Sequence, residues 1–441
     1  MSEISIAFWE IALSPVYLAA IAAFGFGFIS KENQRWFFTA FAIRLFGALF
    51  FLAIYLFYYK GGDTLSYYIS AKAIINLILE NPKHGLTFYF EGFSRENMSF
   101  FTLSTGRPYA YICQATDTFG LVRILVPVQM LGLNSYLLTT ILMAFIGLYG
   151  PWSLFNLIRN RYKNFDFIAF VCVVAFPSVV FWGSGISKDT ITYAATCYIV
   201  HSVYKLFILK KFGWGTVIFA ALNLFALIQI KPYVFMVLLP GSILWVFHNR
   251  VMNIKNPVLR FSIFPLVIAV SSVLFGFILI QLGDSLGEYS LENILNKALI
   301  TKEDLSRDYY GTNSFDIGRV DPTVFGILSK FPIATFYGLF GPTLLSVNNV
   351  VMLFSALENT LLLGGVFAMF FKKGLFRSIR LIGSSPFLMF CAAFTVLFAF
   401  SIGFTTPNYG ALVRFKIPLI PMFTLLIAII YTKSDEEIKS F

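Results

Sequence analysis

FFTAFAIRLFGALFFLAIYLFY, residues Phe37 to Tyr58, runs directly into Tyr59-Lys60-Gly61-Gly62-Asp63-Thr64-Leu65-Ser66-Tyr67-Tyr68. The first stretch carries a single charge, Arg44, and exceeds the roughly 20 apolar residues that cross a hydrocarbon layer as a helix. Similar runs recur at 8–29, 135–158, 166–182, 189–209, 214–230, 233–248, 261–282, 348–371, 385–402 and 417–431, bounded by charge clusters and by Gly or Pro. The expected fold class is therefore all-α: a polytopic integral membrane protein with about 11 transmembrane helices. Residues 1–441 read as a single integral membrane domain, with no internal repeat. Shorter or interrupted apolar pieces at 121–131 and 323–345 fit re-entrant or interfacial segments.

Composition agrees. The chain is 58% hydrophobic and 12% charged, which excludes an ordinary soluble domain. Its net charge of +11 does not point to nucleic acid. The basic residues sit in short clusters at alternate junctions: Arg159/Arg161/Lys163, Lys205/Lys210/Lys211, Arg250/Lys255/Arg260 and Lys372/Lys373/Arg377/Arg380. That spacing reports topology and makes those junctions cytoplasmic. The N-terminus, which lacks the basic start of a cleavable signal, is then extracytoplasmic with its first span retained, and the C-terminus is cytoplasmic.

The opposite face receives a first long extracytoplasmic loop at 59–120, the turn at 183–188, the break at Lys231-Pro232, a second long loop or cap within 283–347, and 403–416. The first loop opens with a helical segment, 64–80. On it Ser66, Ser70, Lys72, Asn76 and Glu80 occupy about half the circumference, the pattern of an interfacial helix. The second loop is acidic between 283 and 322, and Leu291 to Asp308 has the composition of a soluble helix.

Residues with chemistry gather on that face. Gly61-Gly62 lets the backbone turn and approach a ligand, and Asp63 can take a proton from an acceptor hydroxyl. Asp63 equally suits the cap of the helix that follows. In Phe181-Trp182-Gly183-Ser184-Gly185-Ile186-Ser187-Lys188-Asp189, Ser187 or Asp189 can start a helix. Its first N–H groups with Lys188 make an anion site, or the segment is a plain turn with a snorkelling lysine. Lys231-Pro232-Tyr233 places a lone cation at a helix break, where it snorkels or binds something. Arg414 and Lys416 oppose the positive-inside trend, as phosphate-binding groups or as interfacial anchors. Arg44 and Glu358, inside expected spans, need partners or a cavity. His84, His201 and His248 are scattered, and Cys113, Cys172, Cys197 and Cys391 show no ligand spacing, so no metal, disulfide or cofactor is expected.

Gly62-Asp63 with Tyr67 and Tyr68, Pro177-Ser178 through Phe181-Trp182 to Lys188-Asp189, Lys231-Pro232-Tyr233, and Arg414-Phe415-Lys416-Ile417-Pro418 together resemble GT-C membrane glycosyltransferases and bacterial surface-polysaccharide polymerases. These motifs are short and spread over nearly the whole chain. The resemblance implies a polyprenyl-phosphate- or diphosphate-linked sugar donor from the bilayer, a glycan acceptor, no nucleotide, and a place in the inner (plasma) membrane among its lipids. Asp63 would be the general base, with Lys188, Lys231 and Arg414 binding the donor phosphate. Tyr67, Tyr68, Arg107, Ser187, Asp189 and Lys416 would complete the substrate site. An extra apolar run precedes the carboxylate, and the family's common Asp-Glu pair is absent, departures that lean toward the polymerase branch. A flippase or transporter of a lipid-linked sugar uses the same cations without chemistry, and a non-catalytic assembly component uses none of them.

Overall fold

A computed structural model of the chain describes residues 6–252, 254, 256, 262–263, 266–267, 269–270, 314–318, 321 and 324–439. Among them every regular element is helical, and a lone bridge between Ser314 and Asn408 is the sole β pairing. Among the described residues six helices are long and apolar enough to cross a membrane: Phe8–Phe28, Lys31–Tyr58, Tyr136–Arg161, Met352–Lys373, Pro386–Thr405 and Tyr409–Thr432. Asp166–Ala175, Trp214–Ile230, Pro232–His248 and Phe331–Phe340 are shorter apolar helices. The protein is thus a helical membrane protein. Most of the run at 261–282 and of the acidic loop at 283–322, with its Leu291 to Asp308 helix, lies outside the described residues.

Proline and glycine divide the shorter runs. The stretch at 166–182 forms helix Asp166–Phe170, a π turn Val171–Ala175, a break at Phe176 and a second helix, Pro177–Trp182, with Pro177 in its first turn. The piece at 323–345 becomes Val324–Ser329 and Phe331–Phe340. That at 121–131 is all but the first turn or so of helix Thr116–Leu131.

The chain forms two compact units. The first comprises residues 1–154, 174–199 and 221–231. Within it helix Lys31–Ala53 packs on Tyr136–Ile146 and Pro177–Trp182, while helix Asp63–Glu80 packs on Pro82–Glu91 and Thr116–Leu131. Apolar side chains do not drive helix association within lipid, where close backbone approach matters more. Gly47 meets that need: a Cβ there would lie 2.1 Å from the carbonyl oxygen of Val180.

Helix Asp63–Glu80 departs from the surface helix its pattern predicts. Thr64, Leu65, Tyr67, Tyr68, Ser70, Ala71, Ala73, Ile74, Ile75 and Leu77 are all buried. The polar half-face finds protein partners because the following loop folds back over it. Tyr111 Oη donates to Ser66 Oγ (2.7 Å), Tyr109 N to Ser70 Oγ (3.2 Å), and Asn76 Nδ2 to the Thr105 carbonyl (3.2 Å). Lys72 and Glu80 remain exposed. The segment is a strut inside the unit, not a helix floating on the bilayer.

The second unit comprises residues 155–173, 200–220 and 232–441. Helix Pro386–Thr405 is its centre, in contact with Pro232–Met252, Phe331–Phe340, Leu375–Ser384 and Ile420–Thr432. Phe387, Phe390, Phe394 and Phe398 are fully buried and follow one another along this helix, with Trp245 against the first two.

Candidate functional site

In the first unit, the turn after Trp182 is built to hold one helix start. Ser187 is the cap of helix Lys188–Val203: its Oγ accepts from Thr190 N (3.1 Å) and donates to the Trp182 carbonyl (3.2 Å). Thr190 Oγ1 reaches the Gly185 carbonyl at 2.6 Å. Of the two starts the sequence offers, Ser187 is the one used, and its hydroxyl is engaged by the turn. Arg44 supplies the other fastening. Its buried Nη1 donates to the carbonyls of Val179 (3.2 Å) and Gly183 (2.5 Å) and to Ser184 Oγ (3.2 Å), and its guanidinium lies 5.1 Å from the Tyr193 ring centre. The intramembrane arginine therefore closes the end of helix Pro177–Trp182, where helix carbonyls lack partners.

This fastening sets Lys188 and Asp189 side by side in the first turn of the helix, and each meets an opposite charge. Lys188 Nζ donates to Asp117 Oδ2 (2.8 Å) and Thr118 Oγ1 (2.7 Å). Asp189 Oδ1 accepts from Lys231 Nζ at 2.5 Å. The two pairs differ in access: side-chain exposure is 15% and 35% for Lys188 and Asp117, against 6% and 1% for Lys231 and Asp189. Burial pushes the Lys188 ammonium below the ordinary lysine value, while Asp117 opposes the shift, Lys231 adds to it and Asp63 opposes it again. Asp63, Asp117, Lys188, Asp189 and Lys231 thus form one electrostatic cluster in this unit. Sequence reasoning missed Asp117 and Thr118. The available signal was a polar Thr116-Asp117-Thr118 head on the apolar piece at 121–131.

Asp63 itself is exposed at the first position of helix Asp63–Glu80. The cap is Gly62, without a side-chain hydrogen bond, at φ 101° and ψ 178°. That conformation favours glycine, and a Cβ would meet the Tyr55 ring at 2.8 Å. The glycine pair therefore serves a tight turn that leads out of the π turn Ile54–Tyr58, as π turns often do at functional positions. Asp63 is not the capping residue; its carboxylate stands at the positive end of the helix, where an anion is stabilised.

The other expected site residues are placed differently. Tyr67 and Tyr68 are 3% and 4% exposed and belong to the apolar core of the first unit. Tyr68 Oη donates to the Asn134 carbonyl at 2.8 Å, and its ring packs on Tyr136. Arg107 is exposed on the loop fastened to helix Asp63–Glu80. Arg414 and Lys416 belong to the second unit. Arg414 is half-buried. Lys416 is buried, and its Nζ donates to Asn359 Oδ1 (2.5 Å) and to the carbonyls of Gly341 (3.0 Å) and Leu339 (3.3 Å). Asn359 Nδ2 in turn donates to the Pro342 carbonyl at 2.9 Å. The ammonium of Lys416 is thus fully occupied by protein acceptors.

What the cluster offers chemically follows from access. The buried Asp189–Lys231 pair is costly to open, whereas the partly exposed Asp117–Lys188 pair opens at lower cost. Lys188 can exchange Asp117 for another anion, with the exposed Asp63 carboxylate nearby as a proton acceptor. Among the described residues no group of three or more His, Cys, Asp or Glu is placed to hold a metal ion. The four cysteines are buried free thiols.

Comparison of the chain with protein-family models, with curated proteins and with solved structures finds no match. Fold and site together define a helical membrane protein with a charge-paired polar cluster at the head of one helix.

Proposed function

We propose that the protein is a membrane glycosyltransferase or polysaccharide polymerase that uses a polyprenyl-phosphate-linked sugar donor, with Asp63 as general base. The observation that carries this reading is the exposed Asp63 carboxylate within electrostatic reach of Lys188, whose own partner Asp117 is accessible enough to be displaced. The acceptor hydroxyl gives its proton to Asp63 as its oxygen bonds to the anomeric carbon. The bond from that carbon to the donor phosphate oxygen breaks, and Lys188 neutralises the charge that develops on the departing phosphate. Asp189–Lys231 fixes the helix start. In this reading the apolar runs at 166–182, 189–209, 214–230, 233–248 and 261–282 join the long helices to give about 11 spans. The N-terminus is then extracytoplasmic, the C-terminus is cytoplasmic, and the cluster faces the outside of the plasma membrane.

The test is Asp63→Asn in the purified protein, supplied with a lipid-linked sugar and candidate glycan acceptors. Turnover should fall about 10²- to 10⁴-fold, the usual worth of a general base. Thermal stability should fall only slightly, by no more than about 1 kcal/mol, since an exposed carboxylate loses only its favourable place at the helix start. A loss of less than tenfold removes Asp63 from the mechanism. A second reading, transport of a lipid-linked sugar, draws on the adjacency of Lys188–Asp117 and Asp189–Lys231, pairs able to exchange partners during gating. It requires Asp63→Asn to leave lipid-linked sugar movement across vesicles intact.

A further inference from the structure

Helix Leu375–Ser384 in the second unit is the link between two helices long enough to cross the membrane, Met352–Lys373 and Pro386–Thr405. The chain turns into it at Gly374 (φ 79°) and out of it at Ser385, whose Oγ accepts from Leu388 N. A ten-residue link between two spans has to lie near a membrane surface, and this one is amphipathic in an unusual way. Ser378 and Leu381 face the protein and are buried. Leu375, Phe376 and Ile379 are 49%, 84% and 56% exposed, so the apolar stripe is not what packs against the unit. At about 100° per residue, Leu375 and Ile379 lie opposite Arg377 and Arg380, and Phe376 falls between the two groups, at the boundary of the apolar stripe and the basic side. Three directions around one helix thus have three different solvents: protein, hydrocarbon and water.

The basic side is organised too. Arg377 and Arg380 are three residues apart and so are neighbours on one helix surface. Both are exposed. Arg377 Nη2 stands 2.7 Å from Asp435 Oδ2, and Lys373 Nζ 3.2 Å from Asp435 Oδ1, while Lys372 Nζ lies 4.1 Å from the Tyr431 ring centre. Asp435 opens the short C-terminal helix Asp435–Lys439 and covers one edge of the cluster, which leaves Arg380 and the outer side of Arg377 open.

We propose that helix Leu375–Ser384 is an interfacial lipid-binding element. Leu375, Phe376 and Ile379 enter the acyl boundary, and Arg377 with Arg380 seats the phosphodiester headgroup of an anionic phospholipid. Charge complementarity and the position between two spans both favour this occupant over a protein partner. The surface is independent of the cluster around Asp63 and of the activity proposed for it.

Two measurements on the full-length protein in phosphatidylglycerol/phosphatidylcholine nanodiscs test this. Spin labels at Ile379→Cys and Arg380→Cys should divide: the first more accessible to oxygen than to a water-soluble nickel chelate, the second the reverse. The native thiols are buried, and burial pushes Cys113 up to about 12, so background labelling stays low. An Ile379 label accessible to nickel overturns the proposal. Co-purified phosphatidylglycerol, counted by mass spectrometry, should drop about fivefold for each arginine neutralised in Arg377→Gln and Arg380→Gln. Arg377→Lys with Arg380→Lys should retain most of it. Unchanged retention in the glutamine variants overturns the headgroup assignment, as does displacement of the lipid by millimolar inorganic phosphate.

Discussion

Lys231 in the first unit and Lys416 in the second are nearly equally buried, at 5% and 1% exposure, and both stand beside a proline-marked helix break. Their surroundings differ. Lys231 faces a buried carboxylate, Asp189. Lys416 hydrogen-bonds to two backbone carbonyls and the Asn359 amide oxygen, with the half-buried Glu358 within electrostatic reach but not among those hydrogen-bond partners. A carboxylate is a full charge that can titrate, be displaced or be exchanged with a neighbouring pair. Carbonyls at the end of helix Phe331–Phe340 carry only partial charge and are fixed by the backbone. The first arrangement, with a second pair one residue away, can change state when a ligand arrives. The second ties an irregular stretch at Gly341-Pro342 to helix Val350–Lys373. Identical side chains in similar local sequence thus serve a responsive cluster in one unit and a static knot in the other.

The largest effect that separates them should come from Asp189→Asn. Removal of one partner from a buried pair strands the other charge, at a cost of about 3–5 kcal/mol. Thermal or denaturant unfolding in detergent should record that loss. The companion double variant Asp189→Leu with Lys231→Met, which removes both charges, should recover most of it. If Asp189→Asn changes stability by less than a substitution on the exposed surface does, Lys231 is solvated some other way and the contrast with Lys416 disappears.

Lys416→Met should cost less, about 1–3 kcal/mol, because its direct partners are neutral acceptors and Glu358, the carboxylate that acts on it, is half-buried rather than buried. A double-mutant cycle with Asn359→Leu should show coupling, since the Asn359 amide bonds both Lys416 and the Pro342 carbonyl. Additive effects would mean that Lys416 and Asn359 act separately and that the knot is not a unit.

Much of the fold is legible in the sequence because membrane-crossing helices need little more than uninterrupted apolar length, as in 37–58 and 385–402. Helix 63–80 is legible too, but not its burial. The partners for its polar face come from Thr105, Tyr109 and Tyr111, and no local pattern announces that this loop folds back. Asp63, Lys188, Asp189 and Lys231 stand out as charges at apolar borders, and the structure does bring them into one cluster. Asp117 does not stand out, since one aspartate ahead of a short apolar piece looks like any loop residue. Its contact with Lys188 spans 71 positions, and the Arg44 contact with Gly183 spans 139. Local reading finds the charges; it does not pair them. The same reading takes Tyr67 and Tyr68 as ligand contacts, because a buried tyrosine and one that lines a site have the same sequence signature.

The smallest effect on stability, and the most informative about the site, should come from Asp117→Asn. Asp117 is part-exposed and Lys188 only 15% exposed, between the surface and the buried case, so loss of the pair should lower stability by about 1 kcal/mol, well below the cost of Asp189→Asn. Its protonation consequence has a definite sign. Burial already holds the folded-state value of Lys188 below that of the unfolded chain, and Asp117 is the largest opposing influence. Between those two values the unfolded chain binds more protons, so this residue's contribution to stability is greatest above the unfolded value and falls as pH drops through the folded one. Without Asp117 the folded value drops further and the alkaline rise in stability steepens. At a fixed mildly alkaline pH more of Lys188 is then neutral amine, and its acylation by a small amine-reactive ester should quicken, with the pH midpoint moved down relative to wild type. A midpoint that stays put means Asp117 does not control Lys188 in the membrane, and that the cluster resembles the static knot at Lys416 more than a site able to change its partners.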